Sequence, residues 1–213
     1  MLWIITGITA SYLVGSIPTA YIFGRLLKGV DIRKHGSGNV GATNALRVLG
    51  KGPGITVLLI DIFKGFFSVF FIGNFTANAS AYILPEEVLL LLLGIACICG
   101  HNWTVFLQFK GGKGMATSLG VLIALALKVS ALKLVLGILV LIWFALFLIL
   151  GIVSIASVIT AIALPVFVII FVRTPALISA SILLSVFVVI RHKSNLKRFF
   201  KGEEKRLNFR KKA

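Results

Sequence analysis

Three segments of the 213-residue chain carry side chains that could do chemistry. In residues 31–47, Gly36, Gly38 and Gly41 are interleaved with Ser37, Asn39, Thr43 and Asn44 and flanked by Arg33, Lys34, His35 and Arg47. Glycines at this spacing let backbone N–H groups point into one concavity, a nest for an anion. The formal G-x-G-x-x-G pattern does not mark a dinucleotide site, because no strand precedes it and no βαβ unit encloses it. The uncharged side chains add hydrogen bonds, and Arg47 can make a bidentate phosphate contact. Ala42, Ala45, Leu46 and Leu49 fall at i, i+3, i+4 and i+7, which predicts a short interfacial helix offering its N-terminus to the same anion.

The second segment, residues 100–114, ends in Lys110-Gly-Gly-Lys-Gly114. It is not a Walker A loop, since Gly114 stands where Ser or Thr is required. Gly111 and Gly112 between Lys110 and Lys113 still form a close-approach cationic turn suited to a second phosphate. His101 lies about two helical turns earlier, at a depth where ionisable groups are costly and default to function. The third segment is Arg191-His-Lys-Ser-Asn195 with Arg198. A continuing helix would set His192 and Asn195 on one face at i, i+3. Asp61 and Lys64, also at i, i+3, sit inside an apolar run. They are expected to neutralise each other or to reach Arg33 or Arg47, supporting the site.

The elements that position these residues follow from composition. Hydrophobic residues make up 59%, charged residues 13%, and the mean hydropathy is +1.07. So much apolar surface exceeds what one soluble core can hide, so the excess faces lipid. A soluble enzyme, a disordered chain and a secreted disulfide scaffold are excluded. Apolar runs cover residues 2–27, 54–75, 88–109, 115–127, 132–150, 152–172 and 175–190, the fourth being short. Only Gly151 separates the fifth and sixth, which predicts a tight helical hairpin. The first run begins at Leu2 without a basic leader and reads as a permanent helix.

Eighteen of the 22 Lys and Arg residues fall in 25–51, around residue 112 and after residue 190, whereas 73–87 has none. By the positive-inside rule those three segments are cytoplasmic. The expected fold is an all-α integral membrane protein. It has seven transmembrane helices, short interfacial helices or loops on the cytoplasmic face, the N-terminus outside and the C-terminus inside. Residues 1–190 form the membrane domain, and residues 191–213 form a basic cytoplasmic tail whose start contributes to the site.

This inner face is rich in donors and poor in acids; only Asp31, Asp61, Glu203 and Glu204 could reach it. That disfavours a carboxylate-held metal and a two-carboxylate mechanism. Cys97 and Cys99 suit neither a metal nor a disulfide framework. Two phosphate cradles at a membrane point to a reaction joining two phosphate-bearing molecules, at least one of them lipidic. The rival class is a transporter or channel for a phosphorylated anion, which would carry polar residues deeper along several helices. The later runs are almost wholly apolar.

Gly15-Ser-Ile-Pro18, Gly36-Ser-Gly-Asn-Val-Gly-Ala-Thr-Asn44, Asp61-Ile-Phe-Lys-Gly65, Gly100-His101, Phe109-Lys-Gly-Gly-Lys-Gly114 and Arg191-His192 with Asn195 resemble, in order, the motifs of the bacterial acyl-phosphate:glycerol-3-phosphate acyltransferases of the PlsY type. Thr104 departs from the family's usual proline. The resemblance implies an inner-membrane enzyme without cofactor or metal, with its active site facing the cytoplasm. It would transfer a fatty acyl group from acyl phosphate to the 1-hydroxyl of glycerol 3-phosphate, forming lysophosphatidic acid.

On that basis Ser37, Gly38, Asn39, Thr43, Asn44, Arg47, Lys110, Gly111, Gly112, Lys113 and Asn195 are the expected substrate-binding residues. Asp61, Lys64 and Arg33 support them. The base stays open among His101, His192 and a substrate phosphate. The partners expected are membrane lipid and the soluble phosphate acyltransferase that makes acyl phosphate; nucleic acid is not expected. The His-x4-Asp pair of other glycerolipid acyltransferases is absent: Val40, Phe106 and Lys197 stand five after the three histidines. This favours acyl phosphate over acyl-CoA or acyl-carrier protein as donor.

Overall fold

A chain in lipid must satisfy its backbone internally, which helices do within one segment. The structure, a computed structural model describing residues 1–81 and 83–207, is helical throughout its regular elements, and the described residues contain no strand. Helix α1 (Leu2–Ser16) stops at Pro18, which supplies no N–H to continue the ladder, and α2 (Thr19–Lys28) follows, ending on left-handed Gly29. After a 3-10 turn at Ile32–Lys34 come α3 (Ala42–Leu49) and α4 (Lys51–Phe67). Helix α4 runs through a π-helical turn, Ser68–Ile72, into α5 (Gly73–Ala79). Helix α6 (Glu86–Asn102), a 3-10 turn at Val105–Leu107 and α7 (Met115–Lys128) complete the first of two compact units, Met1–Lys128.

In that unit α1 packs on α6, α4 on α7, and α3 on α4. Without a hydrophobic force between helices in lipid, close backbone approach through small residues supplies the packing. Four glycines show it. A Cβ at Gly15, Gly65, Gly100 or Gly120 would stand 1.9–2.1 Å from the carbonyl oxygen of Cys97, Thr117, Tyr12 or Ile62 respectively. Ala20, Ile32, Val40, Ala45, Leu49, Val57 and Leu107 form a buried cluster joining α2, α3, α4 and both connecting loops. The loops of this end are thereby seated on the helices.

The second unit begins at Val129. It holds α8 (Ala131–Leu150), α9 (Val153–Phe171), α10 (Pro175–Arg191) and α11 (Lys193–Phe200). The expected hairpin is present, with left-handed Gly151 (φ 69°) turning α8 into α9. The helix does not continue straight past residue 190: the chain bends by 57° between α10 and α11. There the His192 N–H is shared between the Val188 and Val189 carbonyls, and its Nδ1 lies 2.8 Å from the Val188 oxygen. His192 and Asn195 are nonetheless both buried.

Apart from their end residues the seven apolar runs are helical, except that Ile17–Pro18 breaks the first and the third leaves the helix after Asn102. Five stretches meet the length and hydropathy of a membrane crossing: Leu2–Lys28, Lys51–Ala79, Glu86–Leu107, Ala131–Leu150 and Val153–Phe171. The bent pair α10–α11 makes a sixth if taken as one span, and Met115–Lys128 is apolar but short. Residues 208–213 of the expected basic tail lie outside the described residues.

The Gly120 contact sets the α4–α7 distance. Gly120→Ala is expected to cost about 1–3 kcal/mol through forced separation of the helices. The readout is the thermal unfolding midpoint in detergent; an unchanged midpoint would show that the close approach does not matter.

Candidate active site

The glycine-rich loop is pinned from below. Asp31 accepts the Arg33 N–H (3.0 Å) and pairs bidentately with its guanidinium, at 3.0 Å from Nε and 2.7 Å from NH2. Arg25 approaches the same carboxylate at 3.9 Å. The Arg33 and Arg25 guanidinium groups both lie over the Tyr21 ring, 5.2 and 5.3 Å from its centre. The Arg33 hydrogen bond, outweighing the effect of burial and joined by the two positive charges, lowers the Asp31 pKa to about 2. Arg33 therefore supports the loop through Asp31, and the structure gives Asp61 other partners.

Asn44 closes the loop from above. Its side-chain oxygen accepts the Ser37 N–H (2.8 Å), and its amide nitrogen donates to the Ile32 and His35 carbonyls (3.2 and 3.1 Å). A buried side chain so engaged holds the loop's shape. Gly36 and Gly38 adopt left-handed φ (63° and 71°), which leaves Ser37 exposed at the tip. Gly38, Asn39, Thr43 and Arg47 are half-buried around it.

The second feature is a charge pair inside the first unit. Asp61 (1% exposed) and Lys64 (4%) form an ion pair at 2.9 Å, as their i, i+3 spacing predicts. The same Asp61 oxygen accepts a hydrogen bond from Thr19 Oγ1 (3.1 Å) and faces His101 Nδ1 at 3.7 Å. Lys64 also donates to the Ile17 carbonyl (3.2 Å), an acceptor freed by the α1–α2 break. Removing one partner of such a pair costs about 3–5 kcal/mol, because a buried charge is left behind.

His101 is not two turns away from the lysine–glycine turn but in contact with it. Gln108 and Phe109, both with positive φ (54° and 62°), reverse the chain after α6 and return it to the helix end. The Gly112 N–H then donates to the His101 carbonyl (2.9 Å) and the Gly111 N–H to that of Asn102 (3.1 Å). Gly112 lies flush on the imidazole: a Cβ there would meet Nε2 at 2.0 Å. Lys110 is exposed beside the turn and Lys113 half-buried. Thr104, the departure from the family pattern, caps the 3-10 turn by accepting from the Phe106 N–H (3.3 Å) and donates to the Ser16 carbonyl. The α1–α2 break, Val40 of the first loop, Lys64, His101, Thr104, Gly111 and Gly112 line one narrow cleft. Sequence reasoning missed Thr19, and named Ser16 only within a motif and Thr104 only as a departure from the family pattern. These are small polar residues in apolar runs, and only the cleft's shape distinguishes them.

The second unit has its own polar cluster, centred on a residue that the sequence marked only as a reachable acid. Glu204 accepts hydrogen bonds from Ser154 Oγ (2.8 Å), Arg198 Nε (2.7 Å) and the Asn195 amide. Burial raises its pKa, but the three hydrogen bonds and the Arg198 charge outweigh that and leave it lowered. The Leu207 N–H closes on the Gly151 carbonyl at 2.8 Å, so the residues after α11 fold back to the α8–α9 turn. Among the described residues no three His, Cys, Asp or Glu side chains gather to hold a metal ion.

Residues 5–202 match the family model of glycerol-3-phosphate acyltransferase. The chain belongs to that family. It is 41% identical over 211 residues to the glycerol-3-phosphate acyltransferase of Desulforudis audaxviator, covering 98% of each chain. The Gloeobacter violaceus enzyme of that name is 38% identical over 204 residues, covering 93% of this chain and 92% of that one. Two crystal structures of PlsY, an integral membrane glycerol 3-phosphate acyltransferase, superpose with 33% identity. The glycerol 3-phosphate form gives a TM-score of 0.82 and covers 96% of each chain. The lysophosphatidic acid form gives 0.80 and covers 96% and 95%. The protein is thus an acyltransferase with the helical fold of an integral membrane family, and the motif resemblance extends along nearly the whole chain.

Within this acyltransferase, Asp31 has a lowered pKa. Its stabilisation is therefore complete above the ordinary carboxylate range and is lost as pH falls through about 2. Asp31→Asn should lower the unfolding midpoint by a constant amount above about pH 4, with the difference from wild type vanishing toward pH 2. A difference independent of pH would contradict the assignment.

Proposed function

We propose that this enzyme transfers a fatty acyl group from acyl phosphate to the 1-hydroxyl of sn-glycerol 3-phosphate, releasing inorganic phosphate and forming lysophosphatidic acid. The observation that carries this reading is the meeting of both glycine-rich segments, through Val40 and Gly111–Gly112, at one cleft with a buried cation in its wall. The attacking hydroxyl oxygen bonds to the acyl carbon while the bond from that carbon to the phosphate oxygen breaks. The proton passes to His101, to His192 or to a substrate phosphate. The leaving group departs as a stable anion, so the site needs charge neutralisation and alignment more than general-acid help.

Ser37 and Arg47 would hold one phosphate with the loop backbone, and Lys110 and Lys113 the other with the turn backbone. The basic segments would place this face in the cytoplasm of a bacterial inner membrane, crossed seven times with the N-terminus outside. The soluble enzyme that makes acyl phosphate would supply the donor there.

The test is an assay of purified protein in detergent, where transport cannot occur. Lysophosphatidic acid should form from glycerol 3-phosphate with acyl phosphate and not with acyl-CoA; no product would return the transporter reading. Arg47→Ala and Lys113→Ala should each lower kcat/KM by about 100-fold or more while the protein still inserts and folds. Undiminished turnover in either variant would reject its phosphate role.

A further inference from the structure

The buried pair Asp61–Lys64 touches the α1–α2 break, the start of α2 and the end of α6. Asp61 binds Thr19 at the start of α2 (3.1 Å) and faces the His101 ring at the end of α6 (3.7 Å). Lys64 binds the Ile17 carbonyl in the α1–α2 break (3.2 Å). The opposite edge of the His101 ring is packed on Gly112, whose N–H is held by the His101 carbonyl (2.9 Å).

The geometry points to a positioning role for Asp61: it orients the His101 imidazole so that its Nε2 edge and backbone carbonyl together set the shape of the 110–114 turn. His101 is on this account a strut between a buried carboxylate and the turn that receives a phosphate. The inference rests on the acyltransferase reading and names what organises one of its two phosphate positions.

The physical case is one of degrees of freedom. A turn with glycines at 111, 112 and 114 is intrinsically loose, and two lysines that must converge on a phosphate repel each other across it. Left alone, such a turn would occupy many shapes, and binding would bear the cost of choosing one. Here its two central N–H groups are fixed on the end of α6, and the ring beneath it sits between Gly112 and the Asp61 carboxylate, 3.7 Å from Nδ1. Asp61 is in turn held by Lys64 and Thr19, so the support ends in a charge pair that has nowhere else to go in an apolar interior.

A strut and a base make opposite kinetic predictions. Loss of a base lowers kcat, whereas loss of a strut weakens binding of the substrate whose phosphate sits in the turn. Wild type, Asp61→Asn, Gly112→Ala, His101→Ala and the His101→Ala/Gly112→Ala double variant are purified in detergent, and kcat and both substrate KM values are measured. Asp61→Asn and Gly112→Ala should raise one KM by about tenfold or more, the same one in both, with kcat within about threefold of wild type. The double variant should raise it by less than the product of its two singles, because the new methyl fills the space the ring leaves. An unchanged KM, a fall in kcat alone, or strictly multiplicative effects would overturn the inference.

If Asp61→Asn does not fold, the Gly112–His101 cycle decides alone. If wild type forms no product, the reaction assignment fails separately. Titration with glycerol 3-phosphate and with a non-hydrolysable acyl phosphonate then reads the same variants through Kd; equal affinities in wild type and Gly112→Ala, or no binding to wild type, overturn the strut as well.

Discussion

An ionised side chain inside an apolar helical bundle must be met by an opposite charge and hydrogen bonds, or it will not stay. Asp61 and Lys64 satisfy that constraint for each other, and the rest of the first unit is arranged around how they do it. The α1–α2 break exposes the Ile17 carbonyl and presents Thr19, two polar groups that straight helix would have hidden or turned away. Helix α6 ends so that His101 faces the carboxylate. A local feature of one helix, two residues three apart, thus finds its partners where two other helices stop.

Around that constraint the unit separates two kinds of polar work. Buried groups hold shape: Asp31 grips Arg33, Asn44 ties the glycine loop at three backbone positions, and Thr104 joins the α6–α7 connection to the end of α1. Ser37 and Lys110 are exposed, and Arg47 and Lys113 half-buried. Phosphate recognition needs this division. Cations that attract a dianion also repel one another, so their spacing must be imposed by residues that do not themselves bind the ligand. The close glycine contacts between α1 and α6 and between α4 and α7 supply the rigid base.

Much of this was legible in the chain. The apolar runs became helices, the i, i+3, i+4, i+7 pattern from Ala42 became α3, Gly151 became a hairpin turn, and Asp61 found Lys64. These are local signals, decided by periodicity and by what lipid forbids. What was not legible depends on the chain returning to itself. His101 meets Gly112 only because Gln108 and Phe109, neither of them glycine, take left-handed conformations that no residue preference announces. No local pattern announces that the Asn44 amide ties Ser37, Ile32 and His35 together. In the second unit, Glu204 gathers Ser154 of α9 with Asn195 and Arg198 of α11, and the bend after α10 falls at His192, beside the Val188 carbonyl and without a Gly or Pro.

The central claim is that Asp61 and Lys64 act as one unit. A double-mutant cycle with Asp61→Asn, Lys64→Met and the double variant, read by unfolding in detergent, tests it most directly. The account predicts that each single loses about 3–5 kcal/mol and that the double is more stable than either, since removing both charges strands neither. Additive losses, with the double variant least stable of all, would contradict it.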